Sequence, residues 1–306
     1  MRILLIWITQ QRSRLHKKTK CKYTKLQLFG TVANSHSDTI KSSQGASTME
    51  FTYRTKKFDI QGLSQTDHIY KIISKTKSFY EIDLLEHIYN ITEKSDQNKT
   101  LAIDVGANIG NHSIFLKSFI CDHLIAIEPN PTILPILKRN LEKNIDSYSL
   151  YECAVGDSVG TGSLSIPDGS NDNVGMAKIS YGSSGDNNIP ITTLDQIINE
   201  WQNKQSDAFK ISVIKIDIEG MELPALNGAE KLIKYHKPHI FAEAATEEEF
   251  EKINNFLRPL GYKKLSRWAE TPVYHFSYRP SYSLLINSLA TNIKKIIYKI
   301  KAKTPA

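Results

Sequence analysis

The chain has 306 residues, 40% of them hydrophobic, which is enough for one large domain or two small ones with a real core. Its formal net charge of +7 is unevenly placed: residues 1–48 hold nine Lys/Arg against one acid, Asp38, and the last 26 residues hold five lysines and no acid. The body between them is acidic overall, a poor match for a phosphate backbone, which argues against a nucleic-acid partner. Cys21, Cys121 and Cys153 show no C-x-x-C spacing and no His at metal spacing. Cys121 and Cys153 read as small apolar fillers, no metal centre is expected, and a reduced, cytoplasmic compartment is the default. No run reaches the ~18 apolar residues that a membrane span needs.

In chain order, residues 1–48 are basic and Ser/Thr-rich and are expected to be disordered. ILLIWI at 3–8 is followed by a basic stretch where a signal peptide would show small residues at a cleavage site. Met49 opens a more protein-like stretch; either translation begins there or the upstream residues are a genuine basic tail. Residues 49–98 read as a cap segment, with Ile82, Leu85, Ile88 and Ile91 forming one apolar helix face beside the ligand. Strands are expected at 101–105, 123–128, 147–155, 212–218 and 239–243. They alternate with helices at 110–119, 131–144, 192–203, 222–235 and 246–257, the rhythm of an open, mostly parallel α/β sheet. YKKLSRW (262–268) and PVYHFSY (272–278) read as an antiparallel pair at its edge. The main domain is thus 99–280. Residues 156–190 are rich in Gly, Ser, Asn and Asp, with a hairpin signal at SLSIP, and form either a lid over the sheet or a surface insertion.

Three motifs carry chemistry. LAIDVGANIGNHSIF (101–115) joins a buried strand ending in Asp104 to a turn at Gly106 and Gly110 and then to a helix. The two glycines permit a tight turn and leave no Cβ between chain and ligand. A dinucleotide fold prefers G-x-G-x-x-G; this chain reads Asp-x-Gly-x-x-x-Gly, the pattern of methyltransferases using S-adenosylmethionine, whose cationic amino acid end suits Asp104. In HLIAIEPNP (123–131) a second strand ends in Glu128, 24 positions after Asp104, where a carboxylate can take both ribose hydroxyls. In ISVIKIDIEGMELPALNG (211–228) a central strand ends in Asp217 and Glu219, placed for proton abstraction, for a cation, or simply as partners of Lys215. Glu243, ending the fifth strand, is another candidate base, and Asp157 sits past the third strand either near an adenine amino group or as a turn former. Asn108 can bond the ligand or fix the turn, and His112 reads as a helix-surface side chain.

LAIDVGANIGNHSIF, AIEPNP, AVGD and VIKIDIEGMELPALNGAEK, in this order, resemble the FkbM family of class I methyltransferases from about Phe79 to about Leu260. The resemblance implies a Rossmann-like, seven-stranded, mostly parallel sheet with an antiparallel C-terminal edge pair. It also implies S-adenosylmethionine as donor and O-methylation of a hydroxyl on a sugar, glycan or other small acceptor. By that likeness Asp104, Gly106 and Gly110 line the methionine end, Glu128 holds the ribose, and Asp157 lies by the adenine. Asp217 and Glu219 then face the transferred methyl, with Glu243 a further candidate base. The alternatives are a nicotinamide oxidoreductase, which lacks its second glycine here, and a non-catalytic relative that binds the donor. Residues 281–303 form a basic amphipathic helix pattern, for which a peripheral contact with an anionic membrane surface or packing on the domain are the two expectations.

Overall fold

A computed structural model describes residues 47–92, 99–165, 178–182, 188–269, 271–281 and 284–285, all within the unit spanning 44–306. The expectations for the N-terminal extension and for the C-terminal basic helix lie almost wholly outside these residues. The chain opens with a hairpin, β1 (Thr48–Tyr53) and β2 (Lys56–Gln61), then helices α1 (His68–Thr76) and α2 (Ile82–Ile91). There follow β3 (Lys99–Val105), α3 (Asn111–Phe119), β4 (His123–Ile127), α4 (Leu134–Asn144) and β5 (Tyr148–Tyr151). Four short strands come next: β6 (Ala154–Val155), β7 (Gly160–Ser165), β8 (Lys178–Tyr181) and β9 (Asn188–Thr192). The remainder is α5 (Leu194–Gln202), β10 (Phe209–Ile216), α6 (Glu222–Asn227), α7 (Glu230–His236), β11 (His239–Glu243), α8 (Glu247–Leu257), β12 (Tyr262–Trp268) and β13 (Val273–Tyr278).

The large sheet has the order β12-β13-β11-β10-β3-β4-β5. β13 alone runs against the others, inserted between β11 and β12 and antiparallel to both. β3 is buried at six of seven positions because both its faces are covered, and its alternation divides the core. Ala102 packs with the cluster of β1, β2 and α1 to α4, whereas Leu101, Ile103 and Val105 pack with that of α5 to α8. The sheet therefore has helices on both faces, and its carboxyl edge is left for a ligand.

Several boundaries differ from the sequence reading for identifiable reasons. The expected strand 147–155 is two strands, because the chain leaves the large sheet after Tyr151 and β6 pairs with β9 in a separate four-stranded sheet, β6-β9-β7-β8. The helix 222–235 is two helices: at Gly228, between them, an added Cβ would stand 2.0 Å from the Gly156 carbonyl oxygen, so this point is pressed against the small sheet. The buried face of α2 is Leu84, Leu85 and Ile88, with Ile82 and Ile91 only partly covered. The hairpin β1–β2 was not anticipated at all. It stands on the α3–α4 side of the sheet, with Phe58 edge-on to Phe79 at 4.8 Å, and it is fastened by Asn140. That fully buried side chain accepts from the Gln61 N–H and donates to the carbonyls of Gln61 and Ile109, each at 2.8 Å.

Candidate active site

A cavity of about 550 Å³ opens where the carboxyl ends of β3, β4, β10 and β11 meet. Its floor is the turn after β3. The Gly106 and Ala107 N–H groups both donate to the Ile127 carbonyl at 3.0 Å, and the Gly110 N–H donates to the Ala107 carbonyl at 2.8 Å. The glycines make the tight turn expected of them, and Gly106 lines the cavity, but both also serve packing. Gly106 (φ +80) and Gly110 (φ +90) need the left-handed region, but a Cβ on Gly106 would lie 1.9 Å from the Asp217 carbonyl oxygen and one on Gly110 would lie 3.0 Å from Leu137. The missing side chains let β10 and α4 approach; Gly110 does not line the cavity at all.

Glu128 ends β4 facing the cavity and is buried. One of its oxygens accepts from the Asn108 N–H at 2.8 Å and the other from the Asn130 N–H at 2.9 Å. Burial pushes its pKa up while these two amides pull it back. Each oxygen keeps a lone pair for a ligand. Asn108 is itself left-handed (φ 48) and its side chain accepts from the Ile109 N–H at 2.7 Å, so it fixes the turn while lining the cavity. Beyond Glu128 the wall continues with Cys153, Ala154 and Val155, and burial holds the Cys153 thiol protonated, its pKa pushed up to about 12.

Asp104 lies one layer beneath this wall. It is fully buried and outside the cavity lining, with one oxygen taking the Ser113 hydroxyl at 2.6 Å and the other 3.6 Å from Lys215 Nζ. Lys215 stands 3.2 Å from Asp217 as well and donates to the Gly106 carbonyl at 3.3 Å. The partner reading of Asp217 thus holds: one buried ammonium ties the ends of β3 and β10 together. Asp157 is also outside the cavity; it is exposed, its N–H donates to the Tyr181 hydroxyl of β8, and its carboxylate accepts from that hydroxyl, each at 3.0 Å.

On the far wall Asp217, Glu219 and Glu243 bring carboxylate oxygens within 4.8 Å of one another. Such a set could hold a divalent ion, but it already has charge partners. Burial and the Asp217 charge push Glu243 up to about 10, so it holds a proton and donates it to Asp217. Burial acts upward on Asp217 too, yet Lys215 and that hydrogen bond outweigh it and hold Asp217 below its usual range. Glu219, raised by burial and by Asp217, has no hydrogen-bond partner among the described residues. Its left-handed backbone (φ 54) is held by Glu222, whose carboxylate accepts from the N–H groups of Ile218 and Gly220 at 2.9 and 3.0 Å.

The raised Glu243 has a measurable consequence. The folded state keeps a proton that the unfolded chain releases above pH 4.5, so this group's contribution is fully present below that pH and is lost as pH rises towards 10. Glu243→Gln cannot release it. Its stability relative to wild type is expected to rise by about 1 kcal/mol per pH unit between pH 5 and 8. Urea melts at both pH values read this directly; a pH-independent difference would contradict it.

The cap completes the cavity with His68, Tyr80 and Glu81, α3 adds His112, and the small sheet adds Leu164 and Ile179. Among its described residues the insertion therefore contributes Leu164, Lys178 and Ile179 to the wall of the site. His112, expected on the helix surface, is buried and stacks on Tyr80 with ring centroids 6.4 Å apart. Neither Glu81 nor its contact with His112 could be read from the sequence, because cap and α3 meet only in the fold.

A model of the methyltransferase FkbM domain matches residues 104–264, more than half of the chain and the whole of this cavity's strand ends. The chain belongs to the FkbM methyltransferase family. "Methyltransferase sdnD" of Sordaria araneosa is 24% identical over 190 residues, covering 53% of this chain and 73% of that protein. The crystal structure of methyltransferase FkbM from Methylobacillus flagellatus KT is similar at 20% identity and a TM-score of 0.44, over 66% of this chain and 49% of that one. This FkbM methyltransferase thus spans about half the length of that solved relative. A putative methyltransferase from Streptococcus mutans in complex with SAH is similar at 14% identity and a TM-score of 0.38, over 64% of this chain and 96% of that one. Among the described residues of this family member, no helix is long and apolar enough to cross a membrane.

Proposed function

We propose that this methyltransferase takes its methyl from S-adenosylmethionine and delivers it to a hydroxyl oxygen of a sugar, a glycan or another small acceptor. The observation that carries the donor reading is Glu128: a carboxylate fixed by two backbone amides, one lone pair free on each oxygen, at the end of the strand beside the glycine turn. That is the acceptor pair a ribose diol requires. A nicotinamide cofactor would want a glycine at position 108 beneath its pyrophosphate, where this chain has Asn108. The acid excess around Lys215 also favours a cationic ligand, since Asp104 and Asp217 share one buried ammonium and Glu81 acts on it only through space.

The donor supplies a methyl already activated on sulfonium sulfur, so the chain has to align the acceptor and remove one proton. As the acceptor oxygen forms its bond to the methyl carbon, the carbon–sulfur bond breaks and the hydroxyl proton must leave. Glu243 already carries a proton and Asp217 is held ionised by Lys215, which makes both poor proton acceptors near neutral pH. Glu219, with its raised pKa and unshared carboxylate, is the base we assign. The Tyr80 and His68 rings, edge-on to each other, line the same cavity and offer aromatic surface to the apolar side of a sugar. Incubation with methyl-labelled S-adenosylmethionine and a panel of saccharides and small alcohols tests this. Label is expected on an acceptor oxygen; label confined to nitrogen acceptors would overturn the hydroxyl reading.

A further inference from the structure

We propose that Glu81, from the cap rather than from the sheet, is the counter-ion for the ammonium of the donor's amino acid end, with His112 steering it. The inference rests on the donor reading above and names a residue for a part of the ligand that the sequence reading gave to Asp104. Asp104 cannot meet it: it is fully buried, outside the cavity lining, and already faces Lys215 and Ser113. Most of the other cavity acids are also engaged. Glu128 is turned towards the Asn108 and Asn130 amides, and Asp217 is closed between Lys215 and Glu243. Glu219 groups with Asp217 and Glu243, within 4.8 Å of both, and is the acid assigned as base.

Glu81 stands apart by coming from the cap and lining the cavity beside His112, although Asp104 Oδ1 in its closed position and the Glu219 carboxylate also have no hydrogen-bond partner among the described residues. The Glu81 side chain is 11% exposed, it lines the cavity, and its Oε2 has no hydrogen-bond partner. His112 Nε2 stands 3.3 Å from it, itself without a hydrogen bond on a side chain only 9% exposed. Two buried polar atoms left without a hydrogen bond at one wall of a ligand cavity carry a desolvation cost that a cationic ligand would relieve. The backbone makes the placement deliberate. Glu81 is left-handed (φ 53), a conformation costly for a residue with a Cβ, and it serves as N-cap of α2 without a side-chain cap bond, so its carboxylate is free to point elsewhere. Next to it the backbone is clamped: the Tyr80 N–H donates to Asn111 Oδ1 at 3.0 Å and Asn111 Nδ2 donates to the Tyr80 carbonyl at 3.1 Å. The clamp comes from the first residue of α3, directly after the glycine turn. Thus the segment that binds the donor and the segment that brings Glu81 are locked together.

The test is a cycle of two proteins and two ligands, read by calorimetric titration. Wild type and Glu81→Gln are each titrated with S-adenosylhomocysteine and with its deaminated analogue, in which hydrogen replaces the ammonium. Wild type is expected to bind the analogue about 10–100-fold more weakly, the scale of one charge-assisted hydrogen bond. Glu81→Gln should bind S-adenosylhomocysteine about 10–100-fold more weakly than wild type does and should discriminate little between the two ligands. Equal discrimination by both proteins overturns the assignment to Glu81 and leaves the donor reading standing. A wild-type protein that binds neither ligand overturns both. Because wild-type discrimination needs no variant, its absence overturns the proposal even where Glu81→Gln does not fold.

Discussion

Lys215→Met is expected to destabilise the fold by about 3–5 kcal/mol, the cost of removing one partner from a buried ion pair and leaving the other charged. Methionine matches the stem of lysine in length, so the packing around β10 changes little and the loss reports charge. The lysine side chain is 4% exposed and bridges a fully buried Asp104 to Asp217. The direction of its pKa agrees: burial acts to lower it, but the two carboxylates outweigh burial and raise it above the usual lysine range. A lysine so raised contributes stability throughout the range below pH 10.5, provided that its carboxylates are ionised. In the variant those carboxylates take up protons more readily, so the deficit should narrow as pH falls from 7 towards 4. Adding Asp104→Asn to Lys215→Met should recover part of the loss. Denaturant unfolding of the three proteins checks this; a loss below about 1 kcal/mol at pH 7 would mean that the ammonium is not what neutralises Asp104.

Glu219→Gln is expected to lower kcat by about 10²–10⁴-fold on a hydroxyl acceptor, the usual contribution of a positioned base. Affinity for S-adenosylhomocysteine should stay near that of wild type, because the glutamine keeps the shape of the cavity wall and the ribose anchor is elsewhere. The rate of the wild-type enzyme should rise with pH through the ionisation of Glu219, whose pKa lies above the ordinary glutamate value, and the residual rate of the variant should lose that limb. A kcat within about threefold of wild type would remove Glu219 from the chemistry.

The sheet was legible because its central strands are buried on both faces, and a continuous apolar run such as LAIDV fits few places in a fold besides the middle of a covered parallel sheet. Glu128 and Asp217 were legible for a related reason: an acid directly after a buried run marks the carboxyl edge, where open α/β sheets bind ligands. The hairpin β1–β2 was not legible because its two-residue turn, Arg54-Thr55, has φ values of 46 and 69 without the Asn-Gly or Gly-Gly that normally announces such a turn. Gly110 was read as ligand-facing because sequence shows only that a Cβ is absent; the fold shows that Leu137 needs the space. The largest omission was the cap wall. Glu81 and His112 are 31 residues apart in sequence, on segments whose periodicity tells only which residues enter the core, and the clamp by Asn111 is a tertiary fact without a local signature.

The central claim is that the cavity after the glycine turn is a binding site for S-adenosylmethionine. Calorimetric titration of the protein with S-adenosylmethionine, S-adenosylhomocysteine and NAD tests it most directly. Micromolar binding of the first two, on the order of −8 kcal/mol, and none of NAD are expected. Heats for NAD alone, or for none of the three, would contradict it and reduce Glu128 to a staple of the turn.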